Sequence, residues 1–253
     1  MKDIILFTHI GKTGGMSLHE ILLARFPPDE MIGHKAERDF FYSVKYLALG
    51  QVGCISGHFG YGLHAMLPRT VRPLYVTILR DPFERLRSLY WYRPELREKV
   101  TFEQFVRSPN RWRNMMTEYV CGFAYEPSAA LAMHRLARDY ACFGITERFD
   151  ESLDWICPTL NLGEPAYARL NITEDKPEMD EDERPRLRAL LEAEDAEDFI
   201  LYREANRIFD ARRDPSGPSR FQELISNFPH CRETERDGTR PISKASLAMG
   251  YRD

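Results

Sequence analysis

Four apolar residues, Ile4 to Phe7, run straight into a Gly-Lys-Thr-Gly-Gly turn, and helical spacing follows directly. Residues Asp3 to His9 therefore read as a buried strand, and Ser17 to Phe26 as a helix stopped by Pro27-Pro28. Around "VGCISGHFGYGL" a short apolar run meets a glycine-rich turn, which predicts a second strand and its exit loop. In "PLYVTILRDPFERLRSLYWY" the β-branched run Leu74 to Leu79 has the composition of a central parallel strand. Asp81 is placed to cap a helix that starts at Pro82, where a missing N–H costs nothing, and Phe83, Leu86, Leu89 and Tyr90 give it one apolar face.

Further helices are expected in "TFEQFVRSP", in "RWRNMMTEYVCGF" and over Ser128 to Arg138. "YACFGITERFDESLDWICPTLNL" reads as strand, turn and helix, and a polar loop then leads into a long helical stretch ending near Arg213. Strands alternating with helices predict an α/β fold, a single P-loop-like domain over 1–213 with a central parallel sheet flanked by helices. From Asp214 onward periodicity fades, so 214–253 is expected to be a polar tail that either packs on the domain or stays loosely ordered.

A strand that ends in a glycine-rich turn at a helix N-terminus exposes backbone N–H groups at the positive end of the helix dipole. The run Lys12, Thr13, Gly14, Gly15, Met16 and Ser17 then reads as an anion cradle. The two glycines would let the backbone approach, Lys12 would add charge, and the Thr13 and Ser17 hydroxyls would donate. It is not a Walker-type loop. That motif separates a first glycine from its Gly-Lys pair by four residues, and Leu6 stands at that place. A second anion position is expected at Arg80, on the end of the Leu74–Leu79 strand, with Ser88 eight residues on.

Charge adds one refinement. The balance of 35 basic against 39 acidic residues, −4, is too mild to imply a nucleic-acid or membrane-surface partner. It is uneven, however: Arg69 to Arg113 holds eleven Arg/Lys against five Asp/Glu, and Glu174 to Asp198 holds twelve acids against four bases. The first segment suggests an anion-binding face and the second a solvated surface. No run approaches the ~18 apolar residues of a membrane span, and the N-terminus lacks a secretory cleavage pattern, so cytoplasmic work is expected. Five widely spaced cysteines without a Cys-x-x-Cys pair predict reduced, mostly buried thiols.

Two of these stretches resemble a known family. "HIGKTGGMSL" resembles the 5′-phosphosulfate loop of sulfotransferases that use 3′-phosphoadenosine 5′-phosphosulfate (PAPS), and "TILRDPFERLRSLYWY" resembles their 3′-phosphate motif. The nearer likeness is to the carbohydrate branch that includes the heparan sulfate 2-O-sulfotransferases. Weaker echoes in "SGHFGYGL", "FGITERFDESL" and "LNITEDKP" extend it over about residues 3 to 210. The chain departs from the pattern at Gly11, where the family has proline, and at Met116 and Glu118, where Gln and Arg are expected.

The resemblance implies PAPS as co-substrate, a hydroxyl acceptor that is a carbohydrate or glycoconjugate, and a catalytic-base histidine that falls on His58. In-line sulfuryl transfer builds charge on the departing phosphate oxygen, a role for Lys12, and needs a base near neutral pH, a role for histidine. Among the seven histidines, His9 and His34 are the other candidates. Thr173 and Lys176 are either a loop closing over the nucleotide or a solvated turn. No metal is required by this chemistry, and no cluster has ligand spacing. Two other readings stay open: a Mg-dependent nucleotide or small-molecule kinase with a variant phosphate loop, and a non-catalytic nucleotide sensor.

Overall fold

The computed structural model describes residues 1–36, 51–164 and 179–212, the first of these as backbone only from residue 34. The expectations for Thr173, Lys176, Cys231 and the tail from Asp214, and for the His34 side chain, lie outside the described residues.

Strands β1 (Lys2–Thr8), β2 (Met31–Ala36), β3 (Cys54–His58), β4 (Val71–Leu79) and β5 (Tyr140–Ile145) form one parallel sheet, ordered β2-β3-β1-β4-β5. The helices are α1 (Gly15–Arg25), α2 (Pro82–Tyr92), α3 (Pro94–Arg97), α4 (Phe102–Arg107), α5 (Met115–Cys121), α6 (Ala129–Arg138), α7 (Phe149–Leu160), α8 (Glu183–Glu194) and α9 (Ala196–Ala211). The fold is thus α/β, a five-stranded parallel sheet flanked by helices, as the alternating pattern predicts. Alternate residues of β1 enter opposite cores. Ile4 and Leu6 join one with α5, α6 and α9, while Ile5 and Phe7 join the other with α1 and α7. A strand covered on both faces has no polar positions to spare, which is why its sequence is a continuous apolar run.

The unit from β4 to α2 forms as its sequence dictates. The Asp81 carboxylate accepts the Glu84 N–H at 3.0 Å, Pro82 opens the helix, and Phe83, Leu86 and Tyr90 are buried. The edge strand β2 was not legible: "MIGHKA" offers three apolar residues without alternation and a glycine, and only pairing with β3 makes it a strand. The expected long helical stretch is two helices, broken at the buried Asp195. Cys54, Cys121, Cys142 and Cys157 are buried free thiols, and burial pushes Cys54 and Cys142 well above the ordinary thiol range. Among the described residues no helix is long and apolar enough to cross a membrane.

The acidic stretch is not simply a solvated surface, because Asp195 and Asp198 are interior. Asp195 meets the buried Arg111 at 2.6 Å, and breaking such a pair leaves an uncompensated charge at a cost of about 3–5 kcal/mol. Arg188 grips the Asp81 carboxylate with two bonds, of 3.0 and 2.6 Å. Arg111 and Arg113 of the basic segment thus pair with Asp195 and Glu194 of the acidic one, contacts that charge counting along the chain did not separate from an anion-binding face.

Asp198 also ends a helix that cannot cap itself. The α5 N-cap, Asn114, is left-handed (φ 49°) and makes no side-chain cap. Asp198 instead accepts the Met116 and Thr117 N–H groups, at 3.2 and 2.8 Å, and Asn114 Oδ1 accepts the Asp198 N–H in return. Burial pushes the Asp198 carboxyl up to about 6 from 3.8, against the pull of Arg85 and the Thr117 donors. Folding therefore takes up a proton here, so this contribution to stability is complete below about 3.8 and lost as pH rises through about 6. Asp198→Asn cannot titrate. The stability gap between wild type and this variant is expected to narrow by about 1 kcal/mol from about pH 5 to about pH 7.5 in denaturant titrations. A gap independent of pH would mean that the carboxylate is ionised throughout.

Candidate active site

The turn after β1 is held from three sides. Lys12 adopts a left-handed backbone (φ 70°), uncommon for a residue with a Cβ. Its carbonyl accepts a hydrogen bond from Arg80 Nη1 at 3.1 Å, and its Nζ lies 3.8 Å from the centroid of the Tyr92 ring. Gly14 is the α1 N-cap at φ 74°, a conformation that favours glycine, and having no side chain it leaves the helix end uncapped. The N–H groups of Gly15 and Met16 in the first turn have no partner one turn back, as at any helix start.

Gly15 is required for a different reason from the one expected. A Cβ there would lie 2.2 Å from His9 Cδ2, so the glycine makes room for the imidazole beneath the loop. Thr13 is likewise used differently. Its hydroxyl is buried and donates to the Ile10 carbonyl at 2.9 Å, so the proton expected to meet a phosphate oxygen is spent on the chain. Thr13 can still offer its backbone. Ser17, buried in the first turn of α1, donates its N–H to the Gly14 carbonyl at 3.2 Å.

Arg80 leaves the end of β4 with its side chain 19% exposed and its Nε 3.9 Å from Glu147 Oε1. Its contact with Lys12 brings the two sequence motifs together. Ser88 is buried on α2, and among the described residues no hydrogen bond joins it to Arg80 or to the turn. Their pairing on one ligand remains an expectation.

His58 closes β3 beside this turn. Its Nδ1 lies 2.7 Å from the His9 carbonyl oxygen, and the two imidazoles stack at 4.7 Å with 22° between their planes. A carbonyl can only accept, so Nδ1 carries the proton and the lone pair of the neutral ring is on Nε2. That is the tautomer a general base needs.

Sequence reasoning missed Thr146 and Glu147, which follow β5. The Thr146 hydroxyl bridges the Thr13 and Leu79 carbonyls, at 2.7 and 3.0 Å, and so joins the ends of β4 and β5 to the turn after β1. The Glu147 carboxylate accepts the Asp81 N–H at 3.1 Å and the Tyr202 hydroxyl at 2.9 Å while facing Arg80. The only signal was a Thr-Glu pair at a strand end, in "FGITERF".

The class defined by this geometry is a P-loop-like α/β protein whose central strand β1 leads through an uncapped glycine-rich turn into α1. No protein-family model matches the chain, and no curated protein is similar to it. Among solved structures it is similar to the crystal structure of mouse sulfotransferase SULT7A1 complexed with PAP, with 16% identity and a TM-score of 0.44, over 92% of this chain and 86% of that one. At that level of likeness the site is read from its own residues.

Proposed function

We propose that this protein is a sulfotransferase that transfers the sulfuryl group of PAPS to an acceptor hydroxyl, with a carbohydrate as the first acceptor class to test. The observation that carries the reading is the 3.1 Å bond from Arg80 to the Lys12 carbonyl. It gathers one cation from each phosphate motif at the ends of adjacent strands.

The residues fit such a donor. Gly14 and Gly15 present backbone without side chains, the α1 terminus is uncapped, and Lys12 and Arg80 supply charge. In this reading the N–H groups of Gly15 and Met16 hold the 5′-phosphate and Arg80, with Ser88, the 3′-phosphate. His58 Nε2 takes the proton of the acceptor hydroxyl as the new O–S bond forms. Lys12 offsets the charge that builds on the 5′-phosphate oxygen as its bond to sulfur breaks.

Calorimetry of adenosine 3′,5′-bisphosphate beside AMP and ATP, without Mg²⁺, tests the donor half. A charge-assisted bond contributes about 1.5–3 kcal/mol, so the bisphosphate is expected to bind AMP's site about ten- to a hundredfold more tightly than AMP does. Arg80→Ala is expected to erase that advantage. ATP binding better once Mg²⁺ is added, with Arg80→Ala silent, would replace this reading with a kinase.

A further inference from the structure

The function assigned to His58 leaves open what keeps its ring still, for a histidine at a strand end can turn about two side-chain torsions. We propose that His9 is the positioning residue of the His58 base, and that Gly15 is glycine in order to seat it. This rests on the sulfotransferase reading for its kinetic consequence, though not for its structural one.

Three contacts converge on His9. Its backbone carbonyl accepts from His58 Nδ1 at 2.7 Å and so selects the tautomer. Its ring stacks on His58 at 4.7 Å and on Phe7 at 5.4 Å, with interplanar angles of 22° and 18°. Its Cδ2 lies 2.2 Å from the position a Gly15 Cβ would take, so the same ring is pressed against the backbone of the cradle. Phe7 is wholly buried and His9 is 4% exposed. The column Phe7–His9–His58 thus runs from the core to the base and passes under the first turn of α1.

The ring's flat faces do this work, so a phenylalanine ring replaces it and an alanine methyl does not. Misplacement of a reacting group by about 1 Å costs up to about a hundredfold in rate. His9→Ala is accordingly expected to lower kcat about ten- to a hundredfold while the affinity for adenosine 3′,5′-bisphosphate changes less than about threefold. His9→Phe is expected to keep kcat within about threefold of wild type.

The readout that separates positioning from general softening is ¹⁵N NMR of the His58 imidazole. Wild type and His9→Phe should show one tautomer, protonated at Nδ1, and His9→Ala a mixture, because without the stacked ring His58 turns off the backbone carbonyl that selects the tautomer. Should the alanine variant fail to fold, His9→Phe decides by itself. A tautomer mixture there, or a kcat loss beyond about tenfold, overturns the proposal. So does an alanine variant with wild-type kcat and an unmixed tautomer. A wild type that does not bind the bisphosphate would sink the sulfotransferase reading, and the NMR comparison would still decide the role of His9.

Discussion

Lys12→Met is expected to lower kcat for sulfuryl transfer by about 10²–10³-fold, the cost of removing one preorganised donor at a site of developing charge. The methionine keeps length and apolar stem and loses only the ammonium. The backbone should hold, because the left-handed turn is secured by Arg80 on the Lys12 carbonyl and by Thr146 on that of Thr13. The affinity for adenosine 3′,5′-bisphosphate is expected to fall by no more than about tenfold, since the helix-terminal amides and Arg80 remain. Steady-state kinetics with a labelled donor separate the two effects. A raised KM with unchanged kcat would make Lys12 a ground-state binder and remove it from the chemical step.

His58→Ala is expected to cost about 10²–10⁴ in kcat, the usual worth of a positioned general base, with bisphosphate affinity unchanged. It should also abolish the acid limb of the pH–rate profile, because that limb records formation of the neutral ring whose Nε2 accepts the proton. The expectation rests on the tautomer set by the His9 carbonyl. A variant that keeps the acid limb would transfer the base role to another group. One that loses no kcat would take His58 out of the chemistry, and bisphosphate binding without any turnover in wild type would favour the non-catalytic sensor over an enzyme.

The parts of this site legible in the sequence are those built from neighbours along the chain. The apolar run of β1, the glycines and the lysine after it, and the Asp81-Pro82 start of α2 each write their local conformation in residue type. Positive φ calls for glycine at Gly14, and a helix start calls for a short acceptor at Asp81. Thr13 shows where that logic stops. Its place in the turn suited a phosphate donor, yet the nearer acceptor, Ile10 O, takes its proton. Gly15 fitted the cradle and turned out to be needed by a ring packed from below.

What the sequence by itself determined was the alternation of β1, β3, β4 and β5 with helices, the α/β class, and the strand–turn–helix from β1 into α1. The tertiary structure alone decided that Arg80 reaches Lys12 across 68 residues, that His58 stacks on His9 across 49, and that Thr146 ties in Thr13 across 133. It also made "MIGHKA" a strand and turned two opposite charge blocks into partners, with Arg111 on Asp195 across 84 residues. Local propensity depends on φ, ψ and a few neighbours and can be read residue by residue. Contacts between distant segments depend on which faces the sheet brings together, and that is settled when the apolar faces of all five strands are buried at once.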